Sequence, residues 1–221
     1  AVEAVPLKAM GRFVHEAVAF DKKGVVYQTE DAGSAGFYRF IPNKNKKLAQ
    51  GGKLQMLAID GKPQFDTRKG QKSGTNYNAV WIDINEPDPA IADTQEDAVY
   101  KQGLAKGGAT FSRLEGCCTD KKGRIFFTAT SGGDNQGGQI WRYERDGRDK
   151  GVLTLMYESP DKDTLFMPDN ICIMPRSELL FVCEDGAGSD GLVRVKADGT
   201  GRRVCGNVLN DSELAGVCFS P

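Results

Sequence analysis

"HEAVAFDKKGVVYQTEDAGSAGFYRFIP", residues 15–42, decides the fold, because its plan is written again further along the chain. "LEGCCTDKKGRIFFTATSGGDNQGGQIWRYERDG" fills residues 114–147, and "DNICIMPRSELLFVCEDGAGSDGLVRVKADG" fills residues 169–199. A further copy begins at "ELAGVCFSP", from Glu213. Each copy opens on an apolar strand and a turn ("DKKG", "DKKG", "PRSE"). A second strand follows ("VVYQT", "RIFFT", "LLFVC"), then a glycine-rich connection. A third strand sets an arginine among apolar residues ("FYRF", "IWRY", "LVRV"), and "KLQMLAI" and "VLTLMYE" fit a fourth. Four antiparallel strands recurring at this interval predict an all-β fold built of β-propeller blades. A β-sandwich also uses short strands at regular turn spacing, but matched four-strand copies favour the propeller. Three complete copies and the first strand of a fourth are expected to form one propeller domain over residues 1–221, a piece of a longer protein.

The step from Glu115 to Asn170 is 55 residues, and from Glu16 to Glu115 it is 99. The first unit therefore carries an insertion, at about residues 60–112. It includes "VWIDINEPDP" and "DAVYKQGLAKGG", the latter a short helix ended by Gly107. Such a segment decorates a propeller face or helps to wall a site.

Bulk composition narrows the function. Lysine and arginine number 29 against 30 aspartates and glutamates, so charge gives no case for nucleic acid or an anionic membrane surface. No apolar run approaches the ~18 residues of a membrane-spanning helix, and no signal peptide is visible. The 27 glycines fall between apolar runs as turn punctuation. Six cysteines show neither CxxC nor zinc-finger spacing and read as small strand hydrophobes.

The carboxylates recur in register. Glu16, Glu115 and Asn170 stand five residues before the turn residues Asp21, Asp120 and Pro175, at the start of the innermost strand. Glu30 and Glu184 stand nine residues after the same turn residues, at the end of the second strand, where the second copy has Ala129. Antiparallel pairing puts these two places side by side, and Asp31, Asp169 and Asp185 flank them. Rotation about one axis then gathers acids at one mouth of the channel. Acids that close cannot all ionise unless something neutralises them, and hard cations such as Ca²⁺ take such oxygen ligands. Trivalent iron also favours carboxylates. A single histidine, His15, excludes a His-rich transition-metal site within the chain and leaves a Ser-His-Asp triad without support. Arg113, two residues before Glu115 and on the same strand face, suits a phosphate or carboxylate held bidentately. Arg39, Arg142 and Arg194 recur without acids in step and read as blade-surface residues. "SGGDNQGG" reads as a long hairpin loop, with anion binding by its amides as the alternative.

"GRFVHEAVAFDKKGVVYQTEDAGSAGFYRFIP", "FSRLEGC", "GQIWRY", "DNICIMPRSELLFVCEDG" and "ELAGVCFSP" together resemble the PhoX-type alkaline phosphatases. The resemblance covers nearly the whole chain. It implies a β-propeller hydrolase that cleaves small-molecule phosphomonoesters with Ca²⁺ and Fe³⁺. Its members are exported to the periplasm or secreted, and a monomer is expected. It implies acids at the channel mouth as metal ligands and an arginine on phosphate. Glu16, Glu30, Glu115 and Glu184 match the first role, and Arg113 the second; Asn170, in register with Glu16 and Glu115, completes the expected metal ligands. It also implies an upstream iron-ligating cysteine and further blades beyond "CFSP". A Ca²⁺-dependent lactonase-type propeller and a non-catalytic, metal-stabilised binding propeller are the alternatives.

Overall fold

An aspartate locks the first turn of each of the first two units. In the computed structural model, which describes residues 3–186, 190–196 and 199–220, Asp21 Oδ1 accepts the amides of Lys23 (2.8 Å) and Val25 (3.0 Å). Asp120 Oδ1 does the same for Lys122 (2.9 Å) and Arg124 (2.8 Å). An acceptor that reaches its own backbone a few residues on closes the chain reversal. Gly24 and Gly123 supply the positive φ there, 79° and 87°, which a Cβ would resist.

From these turns the strands run out as blades. The first blade holds β1 (His15–Phe20), β2 (Val26–Glu30), β3 (Phe37–Pro42) and β4 (Gly52–Ile59). β5 (Asn76–Asp83) and α1 (Ala98–Ala105) belong to the insertion. The second blade holds β6 (Leu114–Thr119), β7 (Ile125–Ala129), β8 (Gln139–Asp146) and β9 (Lys150–Glu158). The third holds β10 (Pro168–Ile173), β11 (Leu180–Glu184), β12 (Gly191–Val195) and β13 (Gly201–Gly206). Within a blade, consecutive strands pair antiparallel. The inner strands lie side by side, β1 against β6 and β6 against β10. This is the partial propeller that the repeats predict. The centre of the "GAGSDG" connection, residues 187–189, lies outside the described residues.

Alternation along each strand loads both faces of a blade with apolar side chains, so the core is layered between blades. Tyr27, Phe37, Leu57, Phe127, Trp141 and Leu155 fill the space between the first and second blades, where the Phe37 and Phe127 rings stack at 4.0 Å. Phe126, Ile140, Ile171, Val182 and Val193 fill the next space. Each fully buried large apolar side chain stabilises the fold by roughly 1.5–3 kcal/mol.

The insertion is more than surface decoration. α1 lays Val99 and Tyr100 on the far face of the first blade, over Tyr38, Phe40, Leu54 and Met56. β5 pairs with β4 on one side and β9 on the other. The outer edges of the first two blades are thereby joined into one nine-stranded sheet, β1-β2-β3-β4-β5-β9-β8-β7-β6.

Three other expectations change. Arg39 is no surface residue: its side chain is fully buried, donating from Nε to Gln55 Oε1 (2.7 Å) and from Nη1 to the Arg148 carbonyl (2.9 Å) beneath Trp81. The alternating strand hides this because a long guanidinium reaches past its own blade. Of the cysteines, Cys183 is buried, Cys205 and Cys218 are exposed, the rest lie between, and all six are free thiols. The third turn is one residue longer than the first two. Asp21 and Asp120 donate their amides to Val25 and Arg124, but Met174 donates to Leu179.

Candidate active site

That extra residue changes which acid leads the third inner strand. In β1 the register jumps between His15↔Glu30 and Val18↔Gln28, leaving Glu16 and Ala17 together opposite Thr29. In β6 it jumps between Leu114↔Ala129 and Cys117↔Phe127, leaving Glu115 and Gly116 opposite Thr128. In β10 it jumps between Pro168↔Glu184 and Ile171↔Val182, leaving Asp169 and Asn170 opposite Cys183. The same β-bulge opens all three inner strands, and a bulge re-aims the side chain that it carries. The structural equivalents are therefore Glu16, Glu115 and Asp169. Counting back from Pro175 selects Asn170 because the longer turn shifts that count by one. Asn170 instead donates from Nδ2 to the Ala215 carbonyl at 2.7 Å.

Close approach of β6 and β10 brings Glu115 and Asp169 together. A Cβ on Gly116 would stand 2.5 Å from the Asp169 carbonyl oxygen and 2.7 Å from the Ile171 nitrogen, so glycine sets this spacing. The residue just before the strand takes a left-handed conformation twice, at Arg113 (φ 46°) and Met167 (φ 50°). The carbonyls of Val14, Arg113 and Met167 then accept the amides of Asp31 (2.9 Å), Thr130 (2.8 Å) and Asp185 (2.9 Å). This repeated closure holds Asp31 and Asp185 at the mouth.

Arg113 reaches carboxylates from all three blades. Its Nε donates to Asp31 Oδ1 at 3.0 Å, its Nη2 donates to Glu115 Oε1, and Nη2 also lies 3.8 Å from Asp185 Oδ2. Its Nη1 has no hydrogen-bond partner among the described residues, and the side chain is 31% exposed.

Three glutamates near it, Glu115, Glu16 and Glu213, are held above the ordinary carboxylate range. For Glu115, 4% exposed, burial is the main cause, and contact with the Asp169 carboxylate adds to it against the pull of Arg113. Glu16 is raised by burial, then by Asp169 and Asp31. Glu213 is raised by burial, then by Asp185 and Asp169. Burial and a neighbouring like charge both disfavour the ionised form of these glutamates.

Glu30 and Glu184 are not brought into this group. Strand alternation turns each away from the acid that follows it. Glu30 is buried in the first blade, where its Oε2 accepts from the Gly36 amide (2.7 Å) and the Tyr38 hydroxyl (2.9 Å). Burial raises it to about 7. Glu184 accepts the Phe166 amide (2.8 Å) and pairs with Arg203 at 2.7 Å. Their matching positions reflect a shared task, fixing the loop that follows or precedes the strand. Asp31 and Asp185, the next residue in each case, are the ones at Arg113. Glu213 opens the fourth copy at the place that Arg113 holds in the second, where no other copy has an acid; the fold sets it by Asp169.

In kind, these donors fit a hard cation. Asp169 Oδ1 is buried and meets no N–H or O–H donor among the described residues; the groups against this carboxylate are Glu115 and Glu213. Nevertheless, no three His, Cys, Asp or Glu side chains among the described residues form a closed metal-ligand group as they stand. Glu16 and Glu115 both stand near Asp169, with Arg113 beside Glu115.

The glycine-rich loop after β7 already commits five of its eight backbone amides within the protein. Its Gly132, Gly133, Gln136 and Gly138 amides donate to carbonyls of Ala129, Arg68, Gly133 and Gly132, and the Asp134 amide donates to Glu158. Asp134 Oδ1 accepts the Gly70 amide at 2.7 Å, tying the insertion to the second blade.

The family described as Alkaline phosphatase PhoX matches residues 1–221. Among solved structures, the chain is similar to Pseudomonas fluorescens PhoX in complex with vanadate, a transition state analogue. They share 20% sequence identity with a TM-score of 0.64, over 89% of this chain and 45% of that one. A chain of a nidogen/laminin complex is similar at 17% identity and a TM-score of 0.48, over 90% of this chain and 50% of that one. A likeness that weak carries no argument about fold or function. No curated protein matches. The chain thus spans about 45% of the length of the Pseudomonas fluorescens protein.

Proposed function

The chain belongs to the PhoX family of alkaline phosphatases, and from that premise we propose that it is part of a metal-dependent phosphomonoester hydrolase. The observation that carries this reading is the Arg113 guanidinium. It is fixed by Asp31 and Glu115 from two blades, yet keeps Nη1 without a hydrogen-bond partner among the described residues, on a partly exposed side chain. The vanadate complex of the Pseudomonas fluorescens relative is consistent with phosphoryl transfer.

Glu16, Glu115 and Asp169 would hold hard cations, with Ca²⁺ and Fe³⁺ the expected pair. Bound there, such ions polarise a phosphoryl group and lower the pKa of an oxygen nucleophile. Arg113 binds the phosphoryl group through Nη1 and offsets charge that develops on its oxygens. Asp31 on Nε prevents the guanidinium plane from turning, so the donor is oriented before substrate arrives. Glu30 and Glu184 act one step back, by fixing the loops around this mouth. Export from the cytoplasm is the expectation that goes with this family; among the described residues no helix is long and apolar enough to cross a membrane.

Hydrolysis of p-nitrophenyl phosphate by the full-length protein, with and without added Ca²⁺, tests the reading. Phosphate release that depends on metal and falls with Arg113→Ala supports it. Metal-bound protein that opens lactones and leaves the phosphate ester intact overturns it.

A further inference from the structure

The three bulges are not held alike, and the difference lies in one buried hydroxyl. Thr29, the residue opposite the first bulge, is fully buried. Its Oγ1 accepts the Ala17 amide at 2.9 Å and donates to the Glu115 carbonyl at 2.6 Å, reaching from the first blade to the second. Thr128, opposite the second bulge and also fully buried, donates from Oγ1 to the Asp169 carbonyl at 2.7 Å, reaching from the second blade to the third. Opposite the third bulge stands Cys183, a weak donor. At that step the Asn170 side-chain amide binds the next carbonyl, that of Ala215. "LAG" at 214–216 repeats "LEG" at 114–116, so Ala215 is the counterpart of Glu115 without a carboxylate. The threonine link is thus present at the two steps that lead to an acid and absent at the step that leads to alanine.

We infer that Thr29 and Thr128 are positioning residues for the cation site, each fixing across a blade boundary the backbone carbonyl of the acid that the next inner strand presents. This rests on the metal-site reading proposed above. A carbonyl pinned by a buried hydroxyl cannot rotate its peptide plane without breaking a hydrogen bond in a low-dielectric setting, so the carboxylate leaving the same residue keeps its direction. Inner strands of adjacent blades do not form a hydrogen-bonded ladder with one another. Side-chain links such as these therefore fix their relative height along the axis. Outer-shell partners of this kind set metal affinity by about 10–100-fold.

Calcium titration calorimetry on full-length Thr29→Val and Thr29→Ser tests this, with melting of the metal-free proteins measured in parallel. The expected result is a Ca²⁺ affinity at least about tenfold lower in Thr29→Val and within about twofold of the parent in Thr29→Ser. Should Thr29→Val fail to fold, Thr29→Cys replaces it, since Cys183 already occupies the equivalent place. Lower metal-free melting with unchanged Ca²⁺ affinity would make Thr29 a purely structural residue and overturn the inference alone. Absence of Ca²⁺ binding by the unsubstituted protein would overturn it together with the metal-site reading.

Discussion

Arg113 Nε lies 3.0 Å from Asp31 Oδ1 across 82 residues of chain. This pair, with the Arg113–Glu115 contact two residues away, makes one arginine the meeting point of the first two blades at the channel mouth.

Replacing Arg113 by alanine is expected to lower kcat/KM for a phosphomonoester about 10²–10³-fold, the usual cost of one oriented donor to developing charge. Arg113→Lys should recover a minor part, because an ammonium cannot hold Asp31 and a phosphoryl oxygen in one plane. Steady-state kinetics on the metal-loaded protein check this, and equal rates for all three proteins would remove Arg113 from the reaction.

The bulge registry separates two neighbouring residues. Asp169→Asn should cut bound metal, measured by elemental analysis, together with activity. Asn170→Ala should leave metal content unchanged and cost about 1 kcal/mol in stability, the worth of its bond to Ala215. The reverse outcome would restore Asn170 as the ligand.

Glu115→Gln is expected to lower bound metal and activity together, since the amide loses the negative charge that a hard cation needs. Unchanged metal content would take Glu115 out of the donor set.

Glu30 gives a pH signature. Burial raises its folded pKa to about 7 from an ordinary 4.5, so the folded state holds the proton more tightly than the unfolded state does. The stability that this adds is fully present below pH 4.5 and is lost as the pH rises through about 7. The loss is on the order of 3 kcal/mol. Glu30→Gln keeps an oxygen for Gly36 and Tyr38 but cannot ionise. Urea unfolding from pH 5 to 8 should show Glu30→Gln gaining on the parent as pH rises; a constant difference would mean that Glu30 does not titrate in this range.

Gly116→Ala tests the spacing of β6 and β10. A methyl group 2.5 Å from the Asp169 carbonyl oxygen must push backbone, not a flexible side-chain tip. A loss of about 1–3 kcal/mol is expected in thermal or urea unfolding, along with weaker metal binding.

The propeller was legible because each four-strand unit carries its own turn chemistry, and Asp21 and Asp120 build the same turn from the same residues. Register along the inner strand was less so. The bulge is common to all three inner strands, but the third turn adds a residue, so equal counting from the turn fails at Asp169. The acid pair at the end of the second strand was visible, but which of Glu30 and Asp31 faces the axis depends on strand alternation relative to the bulge. The burial of Arg39 and the double pairing of β5 are tertiary facts. "NYNAVWID" alternates as a strand must, yet nothing in it names β9 as a partner.

Because β5 laces the outer rims of the first two blades, those blades should move as a single plate. The third blade, whose four strands form a separate sheet, lacks that lacing; at the β6–β10 boundary the Thr128 and Thr130 hydroxyls bind the Asp169 and Pro168 carbonyls. The gap between Glu16 and Glu115 is thus set twice, at the inner strands and again at the outer rim, whereas the gap between Glu115 and Asp169 rests on those two buried hydroxyls and the packing beside them.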